Sequence, residues 1–221
     1  MPIQIGGSSG HGFHEPLDLL SDCHRRIEHF LRVLVTVDLN ASGGPLRVED
    51  RPALESALTY FETAAPKHTA DEEDSLFPRL RASSDPDAQR ALAVVERLEQ
   101  DHKTADAHHA AVNSLCRRWF EHGQLQAADA AALREHLMAL QTLYQAHITV
   151  EDHELFPAAA HALDAAALEQ VGREMAARRG VPYQSPVENR TLGRDPPRQP
   201  RQVRVGASRA NPHQVPNIPC G

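Results

Sequence analysis

One phrase occurs twice in this chain, 79 residues apart, and it restricts the fold more than any other feature. His68-Thr-Ala-Asp-Glu72-Glu73-Asp74-Ser75-Leu76-Phe77-Pro78 reads HxxxE, three residues, then LFP, and His147-Ile-Thr-Val-Glu151-Asp152-His153-Glu154-Leu155-Phe156-Pro157 reads the same. On a helix, residues four apart share a face, with Cβ atoms about 6 Å apart. Each copy therefore presents an imidazole and a carboxylate to one point. Two such helices facing each other supply two nitrogens and at least two carboxylate oxygens to a shared centre, the beginning of a dinuclear metal site.

The rest of the chain supplies helices to carry it. From Glu15 to about Val37, Leu20, Ile27, Leu31 and Leu34 follow helical spacing with His24 inside their stripe, and the Asn40–Pro45 loop ends that helix. A second helix is expected over about 50–80, with Leu54, Leu58, Phe61, Ala65, His68 and Glu72 on one face. Pro66 predicts a kink one turn before His68. Asp85-Pro86 reads as a cap followed by proline at the first helical position. The third helix, about 86–121, carries Ala91, Val95, Leu98, His102, Ala105, His109, Val112 and Cys116 in one stripe. After His122-Gly123-Gln124 a fourth helix, about 127–161, aligns Leu133, Leu137, Leu140, Tyr144, His147 and Glu151. Asp164 caps a shorter fifth helix that ends at Arg179, with Gly180 as the stop. With 41% hydrophobic but only 5% aromatic residues, the composition favours helices over sheets. The expected fold class is all-α: an up-down-up-down four-helix bundle over residues 15–180, with the short fifth helix, a flexible Gly/Ser-rich segment at 1–14 and a disordered Pro/Arg-rich tail at 181–221.

The chain also reads as internally duplicated. His24-x3-Glu28 lies 78 residues before His102-x3-Asp106, matching the 79-residue offset of the HxxxE copies. A helical pair repeated once gives a pseudo-twofold bundle in which a site on the axis takes half its ligands from each pair. A lone HxxxE is usually a solvated pair worth a few tenths of a kcal/mol. Here, however, His24, His68, His102 and His147 each occupy the apolar stripe of their own helix, and burying such groups without partners costs several kcal/mol apiece. A metal removes that cost. The candidate ligands are therefore His24, His68, Glu72, His102, His147 and Glu151. Glu28 and Asp106 are symmetry mates that stand as extra ligands or as acceptors for imidazole Nδ1–H groups. Asp152, five residues after His147, competes with Glu151, which is favoured because it repeats Glu72. Imidazole and carboxylate without thiolate suit iron or manganese better than calcium or structural zinc.

Charge and cysteine content bound the rest. The net charge is -7; six arginines against Glu188 and Asp195 put +4 on residues 181–221, leaving -7 - 4 = -11 on residues 1–180. An acidic body suits cations and argues against nucleic acid as the main partner. Three scattered cysteines without a CxxC form neither a disulfide scaffold nor a thiolate zinc site, and imply a reduced setting. No apolar run approaches the roughly 20 residues of a membrane span, and no signal peptide is read at the start. The expectation is a soluble cytoplasmic protein that does not engage membranes, with homo-oligomerisation left open.

Taken together, these residues resemble the hemerythrin-like proteins, the group of HHE cation-binding domains, over about residues 16–180. The resemblance rests on Cys23-His24-Arg25-Arg26-Ile27-Glu28, on His68-x3-Glu72 with Leu76-Phe77-Pro78, on His102, and on His147-x3-Glu151 with Leu155-Phe156-Pro157. It implies a bundle holding two iron ions as a non-haem di-iron centre, bridged by carboxylates and an oxo or hydroxo group, with the six candidate ligands around it. It also implies that O2 or a related small ligand, NO or peroxide, binds there for sensing, scavenging or stress response. The chain departs from the oxygen carriers at Asp106, where they have the second histidine of HxxxH. Fewer histidines and more carboxylates lower the reduction potential and argue against reversible oxygen carriage. Two other readings stand beside this one. The first is a di-iron enzyme that turns over NO or peroxide or donates iron for cluster repair, although residues 1–14 lack the cysteine that repair proteins carry there. The second is a metal-free helical interaction protein.

Overall fold

The computed structural model describes residues 11–184, and within them every regular element is helical. Helix α1 (Pro16–Ala41) begins with proline at its first position and stops where Ser42 turns left-handed, its N–H donating to the Asp38 carbonyl at 2.7 Å. The second arm runs through α2 (Asp50–Thr63), α3 (Ala65–Ala70), a π-helical turn (Asp71–Leu76) and α4 (Phe77–Ala82). Helix α5 (Pro86–His122) is capped by Asp85, which accepts from the Asp87 N–H at 2.7 Å, and ends at Gly123. The fourth arm is α6 (Ala127–Val150), a second π-helical turn (Glu151–Leu155) and α7 (Phe156–Ala162). Helix α8 (Ala165–Arg178) is capped by Asp164, which accepts from the Ala167 N–H at 2.8 Å. The four arms alternate in direction as the up-down-up-down bundle requires, with α8 laid against α1 and the first π turn.

Arms two and four are not the simple helices that the spacing predicts. The break at Ala64 falls where Pro66 was expected to kink the chain, since proline offers no N–H to the preceding turn. The two π turns have the same cause in both copies. Pro78 and Pro157 cannot donate to the carbonyl four residues back and would collide with it. The backbone widens instead: the Phe77 N–H donates to the Glu72 carbonyl and the Phe156 N–H to the Glu151 carbonyl, each five residues back. A π turn of this kind is rare and concentrates at functional sites. LFP therefore restarts a helix rather than simply ending one, and Leu76, Phe77 and Leu155 are completely buried beneath it.

The interior divides in two. One apolar cluster gathers Ile27, Leu31, Leu34, Leu54, Phe61, Val112, Trp119, Leu133 and Leu140. The other gathers Leu20, Leu76, Phe77, Leu80, Leu98, Leu155, Phe156, Val171 and Met175. Between them, at the same level on all four arms, lies a band of buried polar side chains.

Two ties hold the ends. Buried Asp38 accepts from Arg134 at 2.9 Å, joining α1 to α6. Residues 11–14 dock rather than trail: the His11 N–H donates to Asp22 at 2.8 Å, and Phe13 packs on the second cluster. The Phe13 carbonyl lies so close to α8 that a Cβ at Gly172 would collide with it, which is why a glycine stands there. Residues 1–10 of the expected flexible segment and 185–221 of the expected tail lie outside the described residues. Among the described residues, no helix is long and apolar enough to cross a membrane.

Candidate metal centre

The buried band consists of the six side chains that the stripes single out. His24 comes from α1, His68 from α3, Glu72 from the first π turn, His102 from α5, His147 from α6 and Glu151 from the second π turn; all are buried. They form two overlapping groups, His24, His68, Glu72 and Glu151 on one side and Glu72, His102, His147 and Glu151 on the other. The ligand atoms within each group lie within 4.8 Å of one another. Each histidine pair thus has its own pole, and both carboxylates belong to both.

The carboxylate oxygens are divided between the poles. Glu151 Oε2 lies 3.0 Å from His24 Nε2 and its Oε1 lies 3.1 Å from His147 Nε2. Glu72 Oε1 lies 3.5 Å from His68 Nε2 and its Oε2 lies 3.4 Å from His102 Nε2. His102 and His147 bring their Nε2 atoms to 3.1 Å. Two ligands held about 2.1 Å from one cation at a right angle stand about 3 Å apart, so these separations suit donors around a shared ion. Both oxygens of Glu72, both oxygens of Glu151, His24 Nε2 and His68 Nδ1 are buried without a hydrogen-bond partner, the short contacts lacking the necessary alignment. Each unsatisfied buried polar atom costs about 1–3 kcal/mol. Cations at the two poles would satisfy every one of these atoms except His68 Nδ1, so the donor set fits the group.

A second layer orients the first. His24 Nδ1 meets Asp152 Oδ1 at 2.9 Å, and His102 Nδ1 meets Glu73 Oε1 at 2.8 Å. His147 Nδ1 stands 3.5 Å from Asp101 Oδ2. A carboxylate that takes the Nδ1–H fixes the tautomer and presents the Nε2 lone pair to the centre. Asp152 also accepts from Ser21 and Arg25. Glu72-Glu73 and Glu151-Asp152 thus each contact both nitrogens of one imidazole from the opposite helical pair.

Burial and mutual charge shift the clustered groups in opposite directions. Burial, then the neighbouring Glu151 charge, pushes Glu72 well above the usual carboxylate range. Burial also pushes Glu151 up, but the close approach of His147 and His24 more than offsets this and leaves it below that range. Burial disfavours a charged His24, yet Asp152 and Glu151 together raise it to about 9. Burial and the His24 charge hold His68 well below its ordinary value.

Three of the sequence candidates stand elsewhere. Asp152 is not beside the carboxylate pair; it takes the Nδ1 side of His24. Glu28 is turned to solvent, its side chain 44% exposed and 3.4 Å from Arg25. Asp106 is exposed and outside both groups, although it lines the cavity beside the four histidines. His24 and His102 sit at the edge of the buried arc of their helices. At about 100° per residue, the third residue on, Ile27 or Ala105, turns inward and the fourth, Glu28 or Asp106, turns outward. Glu73 and Asp101 were not singled out by the sequence, although the acidic residue after the glutamate in both repeats was the available signal for Glu73. Above the cluster lies a cavity of about 20 Å³ whose walls include all four histidines together with Phe61, Ala105, His109, Tyr144 and Ile148, but neither glutamate.

The sequence model of one family, described as the hemerythrin HHE cation binding domain, matches residues 15–159, which include all six clustered side chains and stop short of α8. An uncharacterised protein of Haemophilus influenzae is 29% identical over 171 residues, covering 76% of this chain and 92% of that protein.

Proposed function

Because the chain belongs to the hemerythrin HHE cation-binding domain family, we propose that it holds two iron ions between Glu72 and Glu151 and binds O2, NO or peroxide beside them, for sensing, scavenging or stress response. The observation that carries this reading is the division of each carboxylate between two histidine pairs, with both oxygens of both glutamates buried and unpartnered. A donor set of four imidazoles and two carboxylates without thiolate suits iron. His24 and His68 would hold one ion and His102 and His147 the other, with Glu72 and Glu151 shared. When bound, iron supplies redox chemistry and coordination positions open to a small ligand.

The chain's own residues do the rest. Asp152 and Glu73 hold the Nδ1 protons of His24 and His102, keeping each Nε2 free to coordinate. Phe156 stacks on the His24 ring with centroids 5.5 Å apart, fixing its plane and closing the site toward the second apolar cluster. On the other side, the cavity of about 20 Å³ only modestly exceeds the roughly 10–15 Å³ that admits one water. A space of this size suits a small ligand of the kind proposed.

The test is metal content with an optical spectrum. Purified protein reconstituted anaerobically with ferrous iron is expected to hold two irons per chain and to change spectrum on adding O2, NO or peroxide. His68→Ala and His147→Ala are each expected to lower the iron content. A chain that folds normally and takes up no iron refutes the reading.

A further inference from the structure

The cavity beside the four imidazoles is also lined by polar side chains that the cation-holding groups do not include, and two of them are hydrogen-bonded to each other. His109 on α5 and Tyr144 on α6 both line it, with His109 Nε2 3.0 Å from the Tyr144 hydroxyl. Neither side chain belongs to the two clustered groups. The His109 ring is stacked on Phe61 with centroids 4.1 Å apart and planes 25° apart, which sets the direction of its Nε2. Tyr144 is buried. Besides the four imidazoles, the remaining walls include Phe61, Ala105 and Ile148 together with the polar Thr69 and Asp106, so the pair faces a mixed surround that includes the Asp106 carboxylate.

Packing does not call for this pair. A partly buried hydrogen-bonded couple adds little net stability over two apolar side chains of similar shape. What the pair does provide is direction. Burial, and to a lesser extent the neighbouring His108, depress His109 to about 4, so its imidazole is neutral at pH 7. Burial raises the Tyr144 phenol, which therefore keeps its proton. In the tautomer that carries its proton on Nε2, His109 donates to the phenol oxygen and the Tyr144 O–H is left to donate into the cavity.

We propose that Tyr144 donates a hydrogen bond to a small anionic or peroxide-like acceptor held in this cavity, and that His109 is the positioning residue that aims its hydroxyl. This selects acceptors over apolar diatomics, and it rests on reading the buried cluster as a metal centre.

Azide, a three-atom anion, is the probe. The iron-loaded full chain, Tyr144→Phe, His109→Leu and His109→Gln are compared for iron content, azide affinity and the azide-to-iron charge-transfer band. All four are expected to carry the same iron per chain, because neither residue is a ligand. Tyr144→Phe is expected to weaken azide roughly tenfold, the worth of one hydrogen bond to a charged acceptor, and to shift the band. His109→Leu is expected to follow it in the same direction although the tyrosine remains, and His109→Gln, which can still donate, to recover most of the affinity. Tyr144→Phe with normal iron content, wild-type azide affinity and an unshifted band overturns the proposal. A wild-type chain that takes up no iron overturns the metal reading on which it rests, and an iron-loaded wild type that binds no azide overturns this proposal while leaving that reading standing.

Discussion

Glu72 and Glu151 are equivalent in sequence, yet replacing each by glutamine in the metal-free protein is expected to act in opposite directions. Glu151 has two imidazole nitrogens at 3.0 and 3.1 Å, whereas those nearest Glu72 stand at 3.4 and 3.5 Å. Burial and the Glu151 charge therefore raise Glu72 well above 4.5. The folded chain keeps that proton while the unfolded chain releases it above pH 4.5. Folding then binds more protons than unfolding, and stability falls as pH rises, by up to about 1.4 kcal/mol per pH unit. Glu72→Gln removes this dependence. In chelator, Glu72→Gln is expected to be more stable than wild type at pH 7, with a gap that narrows toward pH 5. Glu151 is held below its ordinary value, so its contribution is present above pH 4.5 and lost only in acid. Glu151→Gln is expected to destabilise the metal-free chain by about 1–3 kcal/mol at pH 7, since His24 loses the countercharge 3.0 Å from its Nε2.

Iron should reverse the first result. Metal at about 100 times its dissociation constant adds about 2.7 kcal/mol to the wild type. Glu72→Gln, with a neutral and weaker donor shared between the poles, gains less and falls below wild type. Urea melts at pH 5, 6 and 7, in chelator and in anaerobic ferrous iron, measure every term. A Glu72→Gln variant that is less stable than wild type in chelator at pH 7, or whose stability gap does not change with pH, refutes the reasoning.

Three further predictions concern the scaffold. Asp71, buried one residue before Glu72, accepts from Arg178 and from Arg179, the latter at 2.6 Å. Asp71→Asn is expected to cost about 3 kcal/mol in urea melts and to raise hydrogen exchange in α8, because Arg179 loses its countercharge and Arg178 is left with Asp74, 3.9 Å away. Gly172→Ala places a Cβ against the Phe13 carbonyl and is expected to cost about 1–3 kcal/mol, with residues 11–14 becoming open to proteolysis. His109, half-buried and depressed from 6.5 to about 4, stays neutral in the folded state down to about pH 4 while the unfolded state takes up a proton below pH 6.5. Stability is therefore lost as pH falls from 6.5 to 4, by about 3 kcal/mol from this group, and His109→Gln should flatten that part of the pH profile.

The six clustered side chains were legible because each interrupts an apolar stripe, and a stripe tells which way a helix faces. Legibility failed where orientation depended on a fraction of a turn. Glu28 and Asp106 look equivalent to Glu72 and Glu151 by spacing, but their helices place the fourth residue after histidine just outside the buried arc. The π turns were visible only as a proline after LF in each copy; their wider winding follows from the missing N–H and lies beyond hydrophobic periodicity. The clamp of Asp71 by Arg178 and Arg179 joins residues 107 and 108 positions apart, and no local pattern encodes such a contact.

The π turns also explain why two consecutive acidic residues can serve one imidazole. In a regular α-helix, neighbours point about 100° apart and do not share a target. Where the winding loosens at Glu72, that residue reaches His102 Nε2 at 3.4 Å while Glu73 reaches Nδ1 of the same ring at 2.8 Å. At the second turn, Glu151 and Asp152 approach the two nitrogens of His24 at 3.0 and 2.9 Å. The acidic pair of each half therefore holds the lone histidine of the other half. Neither helical pair completes a pole alone: His24 and His68 depend on Glu151 from the fourth arm, and His102 and His147 depend on Glu72 from the second. Duplication of the phrase accordingly gives one shared centre rather than two independent sites. Separating the halves should abolish both poles together, because each carboxylate is common to the two.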